Sequence, residues 1–298
     1  MHRVNGGSIQ TIKERCRVCY MCVRECPAKA IRINDGQAEV LAIRCIGCGN
    51  CVRVCSQKAK QVVSTIGMVR EFLQNKSRPV VAMIAPSFPA EFTDVHQRAL
   101  AGMIRSLGFD GVYEVGFGAD LVAQRYRELV ESGDTRPRIA STCPAVVFYV
   151  EKYHPALVDS LLPVVSPMIA MARVVRRVRG DRQLRVVFVG PCIAKKSECV
   201  DAFLPGDVDA VLTYAELREM FAMAGVTAKS VAQADFDEPR AGLGALFAVS
   251  RGLLQAADIP EDLLAKEIVA TDGCKNFVDA IKAFEAGAID TRLLELLA

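Results

Sequence analysis

The sequence predicts a small α+β module organised around metal, followed by a larger α/β domain with mostly parallel sheet. Three observations carry the prediction. Eight of the twelve cysteines lie between Cys16 and Cys55. A polar stretch at 74–79, Gln-Asn-Lys-Ser-Arg-Pro, then marks a boundary between segments 1–76 and 79–298. Beyond it, short apolar runs alternate with amphipathic helical patterns, which is how the strand–helix units of a parallel sheet read in sequence.

Composition narrows the classes available. A chain of 298 residues, 51% hydrophobic and 24% charged, can bury a sizeable core and is neither disordered nor fibrous. No window approaches the ~18 uninterrupted apolar residues of a membrane span. Residues 1–7 lack the apolar core of a signal peptide, so a cytoplasmic protein is expected. In that compartment clustered cysteines point to metal rather than to disulfides. Residues 1–80 carry 14 Lys and Arg against 5 Asp and Glu, and the remainder carries 23 against 29. Such a basic block can serve nucleic acid, but no helix-turn-helix, zinc-finger spacing or aromatic-interleaved stripe accompanies it. Anionic clusters on thiolates account for the excess more simply, and no nucleic-acid partner is expected.

The motif behind the first segment is C-x2-C-x2-C-x3-C, written twice at an offset of 29 residues. The first run is Cys16, Cys19, Cys22 and Cys26; the second is Cys45, Cys48, Cys51 and Cys55. Three closely spaced thiolates wrap one corner of a cubane, and the fourth of each run reaches the other cluster. One 4Fe–4S cluster is therefore assigned to Cys16, Cys19, Cys22 and Cys55, and the second to Cys45, Cys48, Cys51 and Cys26. Zinc is the alternative, but it takes its four ligands as two separated pairs. Residues 30–40 alternate and turn at Asp35-Gly36, a hairpin signal. Gly47 and Gly49 are expected to relieve crowding against the inorganic core. Ser56 stands where the first run has Pro27. The whole reads as a ferredoxin-like module, a wire with something at its end.

In the second segment, strands are expected at 80–85, 138–140, 185–189, 209–212 and 267–270. Helices are expected at about 94–106, 119–132, 145–153, 166–178, 214–224 and 275–286. The loops after strand ends build the site in such sheets. Two hold cysteines: Ser141-Thr142-Cys143-Pro144, and Gly190-Pro191-Cys192-Ile193-Ala194-Lys195-Lys196-Ser197-Glu198. Either cysteine alone reads as a small buried residue. Together, downstream of a wire, they are expected to converge on one metal centre.

On these residues the sequence resembles the FeFe-hydrogenase family, whose first motif is Thr-Ser-Cys-Cys-Pro and whose second is Met-Pro-Cys-x-x-Lys-x-x-Glu. The resemblance implies an FeFe-hydrogenase-type catalytic domain. Cys143 and Cys192 would ligate the 4Fe–4S part of an active-site cluster that carries a diiron CO/cyanide subcluster. Lys195 would hydrogen-bond a cyanide ligand, and Glu198 completes the second motif. Pro86 and Ser87 match a segment lining the cavity, and Phe117-Gly118-Ala119-Asp120 one supporting it. The resemblance also implies a redox partner such as a ferredoxin or flavoprotein, maturation proteins, and a downstream signalling domain or kinase.

Departures qualify the match. Thr142 takes the position of the family's proton-relaying cysteine, and threonine does not titrate near neutrality. Gly190 replaces the methionine of the second motif and is expected to open the cavity. Arg125, Tyr126 and Arg127 lie where prototypical members carry relay carboxylates. These changes resemble the family's sensory branch. Residues 293–298 resemble the approach to a third cysteine motif, so a chain cut short before it is expected. Cys199 and Cys274 match no ligand position. Met168 and Met171 read as core, His154 as a surface residue, and 173–182 as a solvated basic face. The expected function is reversible H2 oxidation, proton reduction or H2 sensing, with electrons passing through two clusters. The rival is a non-catalytic iron–sulfur carrier or scaffold on a degenerate hydrogenase fold.

Overall fold

Five consecutive apolar residues, Val80–Ile84, are buried without exception, the pattern of a strand covered on both faces. In the computed structural model, which describes residues 7–132, 136–201, 206–259, 268–289 and 291–298, this strand lies inside a four-stranded sheet. The order is Gly111–Glu114, Val80–Ile84, Arg185–Gly190 and Ala210–Thr213, all parallel. The register sets Met83 beside Phe188 and Ile84 beside Val189. Helices Gln97–Ser106, Pro167–Arg179 and Tyr214–Ala224 pack their apolar faces on this sheet and close the largest core.

The remaining strands form a second parallel sheet in the order Ile268–Asp272, Leu293–Leu297 and Arg138–Ile139. The α/β expectation with mostly parallel sheet therefore holds, but its strands divide between two sheets. Of the strand expected at 267–270, residue 267 lies outside the described residues. Two of the elements that were not anticipated bear on the large core. Gly111–Glu114 is a four-residue edge strand, too short to show a period. The helix Ile66–Gln74 buries Ile66, Val69 and Leu73 in the core of the four-stranded sheet.

The N-terminal module pairs Ile9–Thr11 antiparallel with Lys60–Val62, and Ile31–Asn34 antiparallel with Gln37–Val40. The second pair turns at Asp35 and Gly36, both with positive φ (47° and 69°), as an Asp-Gly hairpin requires. The 29-residue repeat is preserved in the backbone. Val18, Tyr20 and Lys29 have φ of 51°, 60° and 46°, and their counterparts Gly47, Gly49 and Lys58 have 72°, 77° and 51°.

A buried ion pair locks the larger domain. Lys196 Nζ lies 2.9 Å from Glu216 Oε2 and also donates to Thr65 Oγ1 and Val211 O. Burial pushes the Glu216 carboxyl up, but the N–H groups of Thr213 and Thr65 and the Lys196 charge outweigh it and hold the group below its ordinary value. A depressed folded-state pKa contributes stability above the unfolded value, and that stability is lost as pH falls through the folded one. Glu216→Gln leaves Lys196 buried without a counter-charge and is expected to cost about 3 kcal/mol. Urea unfolding at pH 7 and pH 4 measures it, and the deficit against wild type should shrink at pH 4.

Candidate metal centres

Short loops and one-turn helices position the eight clustered thiols. Met21–Arg24 and Asn50–Arg53 each start from a residue in the left-handed conformation, Tyr20 and Gly49, which bends the chain round the thiols. Cys16, Cys19, Cys22 and Cys55 line one cavity. Cys26, Cys45, Cys48 and Cys51 line a second. Each set takes three cysteines from one run and the fourth from the other. Backbone N–H groups point at the thiols: Ala30 N lies 3.3 Å from Cys26 Sγ, Ala59 N 3.3 Å from Cys55 Sγ, and Gly47 N 3.4 Å from Cys45 Sγ.

Four thiols round a cavity make a donor set for a cluster with its own sulfide. Burial pushes the Cys51 thiol up to about 12 and raises Cys22 and Cys45 as well. Cys16 is held low; burial opposes this, but the N–H groups of Ala38 and Val18 and the Lys60 charge prevail. Thiols so disfavoured as free anions are deprotonated when iron binds them.

The two cavities differ in setting. The first opens to solvent through Cys19, Tyr20 and Met21, all exposed. The second is inner and apolar, lined by Ile9, Ala30, Ile31 and Ile46, and it abuts the larger domain. A Cβ on Gly47 would come within 2.8 Å of Ala194 Cα, and one on Gly49 within 2.7 Å of Ile193 Cδ1. These glycines thus make room for the turn after Cys192. The helix Pro144–Tyr153 starts directly after Cys143 and ends on the inner loop, where Lys152 Nζ donates to Cys45 O at 2.7 Å. Tyr153 Oη shares its proton between Ala28 O and Arg44 O.

Cys143 and Cys192 lie at two strand–helix junctions, one from each sheet. Burial pushes Cys192 up to about 11, the nearby Cys143 adds to this, and Lys195 opposes it. Lys195 Nζ donates to Glu198 Oε2 at 2.8 Å, both side chains about nine-tenths buried. Thr142 is half-buried beside Cys143. The loop is fixed by the fully buried Tyr126, whose hydroxyl accepts from Ser141 N at 2.7 Å. Pro86 and Ser87 are half-buried at the end of the central strand. Ser87 Oγ lies 2.9 Å from Tyr214 Oη, which donates to Ala85 O at 3.0 Å.

Several expectations need correcting. Gly190 does not open the cavity: a Cβ there would meet the Phe188 ring at 2.7 Å and Ala85 Cβ at 2.9 Å. Phe188 lies two residues back on the same face of the strand and fills the space. Cys199, by contrast, is the structural cysteine expected: it faces the large core and donates to Val208 O at 3.3 Å. Cys274 lies near enough to Cys48 for the two thiols to interact. His154 is buried and bonded to Glu285 at 2.7 Å. Within the basic run, Arg176 is tied to Asp209 at 2.7 Å. Sequence reasoning also missed Lys60, a lysine at the start of a three-residue strand that reads as surface but is buried against the outer cavity.

The paired thiol cavities and a parallel-sheet domain bearing Cys143 and Cys192 at its strand–helix junctions define an iron–sulfur protein with a ferredoxin-like module. Residues 8–56 match the family described as a 4Fe-4S dicluster domain, and residues 78–298 match the iron only hydrogenase large subunit, C-terminal domain. The chain belongs to this iron-only hydrogenase family. It is 30% identical over 221 residues to the NADP-reducing hydrogenase subunit HndD of Solidesulfovibrio fructosivorans, covering 63% of this chain and 38% of that one. It is 28% identical to iron hydrogenase 1 of Clostridium pasteurianum over 65% of this chain and 38% of the relative. The cytosolic Fe-S cluster assembly factor NAR1 of Yarrowia lipolytica is 29% identical over 52% of this chain and 35% of its own length. The chain thus spans under two fifths of the length of these relatives. The FeFe-hydrogenase HydA1 of Chlamydomonas reinhardtii shares the fold, with a TM-score of 0.63 at 20% identity over 79% of this chain and 82% of that one. Among the described residues, no helix is long and apolar enough to cross a membrane.

Proposed function

We propose that this protein moves electrons between a redox partner and H2 chemistry at a centre held by Cys143 and Cys192, through two 4Fe–4S clusters. The observation that carries the reading is the order of the thiol sites. The outer set faces solvent at Cys19, the inner set touches Ile193 and Ala194, and those residues follow Cys192 directly. An electron entering at the outer cluster therefore has a continuous route inward.

The residues fit the cofactors unequally. Each cavity has four thiols, a full set for a 4Fe–4S cluster. Cys143 and Cys192 supply two thiols toward a third cluster. A diiron CO/cyanide unit, when bound, supplies the open iron site and adjacent base that split H2. This chain's part is to bury that centre, to hold a cation beside it at Lys195, and to fix Lys195 through Glu198. Thr142 does not titrate near neutrality, so proton delivery and turnover are slow and the role is that of a sensor.

A second reading is favoured by Phe188, which closes the space beside Gly190. On this reading the protein is an iron–sulfur carrier or scaffold without a diiron unit, in keeping with NAR1-like relatives. Infrared spectroscopy after maturation separates the two. Bands of iron-bound CO and cyanide with slow H2 uptake are expected for the first. Cluster signals with no such bands, and no H2 uptake, leave the second.

A further inference from the structure

Lys60 is 3% exposed, yet no carboxylate lies within ion-pair distance of it among the described residues. Its ammonium donates to two neutral oxygens, Thr11 Oγ1 and Ala38 O, the latter at 2.7 Å. A charge taken out of water needs an opposite charge nearby. The groups around Lys60 that become anionic on binding iron are thiols: it lines the outer cavity with Cys16, Cys19, Cys22 and Cys55, and its charge also acts on Cys51 of the inner set. The lysine is held in place from two strands, since Thr11 pairs with Lys60 in the sheet register and donates to Ala38 O at 2.6 Å.

We propose that Lys60 is a positioning residue whose buried ammonium raises the reduction potential of the outer cluster above that of the inner one, so that the first electron rests at the solvent-facing end of the wire. The inference rests on the assignment of clusters to the two cavities. Each cluster takes up one electron and no proton on reduction, so its anionic charge grows by one unit. A fixed cation beside it stabilises the reduced form more than the oxidised form, and net charge near a cluster is one of the terms that sets its potential. The effect falls mainly on the outer cluster, which Lys60 lines directly.

The test is an EPR-monitored redox titration of the full chain with both clusters loaded, using Lys60→Gln, Lys60→His and Thr11→Val. Gln keeps hydrogen-bond donors but removes the charge. At a fixed ambient potential the reduced-to-oxidised ratio of the outer cluster is expected to fall about tenfold, about 59 mV for a one-electron couple, with a smaller change at the inner cluster. In Lys60→His the outer potential is expected to rise as pH falls from 8.5 to 6, a dependence wild type lacks. Thr11→Val, which loosens the lysine but keeps its charge, should shift it less than Gln. Should Lys60→Gln fail to hold iron, the pH dependence in Lys60→His decides the question. Two loaded clusters with unmoved potentials in Lys60→Gln, or a pH-independent Lys60→His, overturn the proposal. Wild type that binds no pair of clusters overturns the cluster assignment instead.

Discussion

Cys26→Ala is expected to remove about four irons per chain, and to remove them from the inner centre although Cys26 belongs to the first run. The cavity linings require this result: Cys26 faces Cys45, Cys48 and Cys51, whereas Cys55 closes the outer set. Double variants make the test sharp, because changes within one interacting unit do not add and changes in separate units do. Cys26→Ala with Cys48→Ala should lose no more iron than either alone. Cys26→Ala with Cys19→Ala should lose about eight. If the run, rather than the cavity, defined the cluster, the two outcomes would be exchanged. Folding should suffer more from the inner loss. The inner cavity is lined by Ile9, Ala30 and Ile46, packs on the larger domain, and loses its central filling. Outer-site variants leave that contact untouched. Iron analysis with thermal unfolding of the same samples reads both consequences.

Much of this was legible in the sequence for identifiable reasons. The run spacing dictates which thiols share a cluster, because a three-residue gap sends the fourth cysteine away from its own loop. Val80–Ile84 reads as a central strand because both its faces are apolar. The division of strands into two sheets was not legible, since a period of two records which face is buried and not which neighbour pairs. Lys60 was hidden because a lysine next to Lys58 reads as solvated charge. Phe188 over Gly190 could have been read, because alternate residues of a strand share a face. The side chain missing at Gly190 is replaced in space by the Phe188 ring two residues earlier.

The role of Gly47 is the clearest case in which the repeat itself separates two physical causes. Val18 and Gly47 are equivalent across the 29-residue offset and both have positive φ, 51° and 72°. A β-branched residue occupies that conformation in the first run, so backbone strain alone does not demand glycine in the second. What differs is the surroundings: a Cβ at Gly47 would lie 2.8 Å from Ala194 Cα, a backbone atom that cannot rotate away. Gly47→Ala is therefore expected to cost about 2 kcal/mol as overpacking, above the ~1 kcal/mol of a left-handed alanine. Gly36→Ala is the matched control, with φ of 69° and nothing within 4 Å of the added carbon, and should show the conformational cost alone. The difference between the two midpoints in urea measures the contact between module and larger domain. Equal midpoints would mean the turn after Cys192 yields freely. On the proposed electron route this contact joins the inner cluster to Cys192, so Gly47→Ala should also slow electron passage inward while both clusters keep their iron, and Gly36→Ala should not.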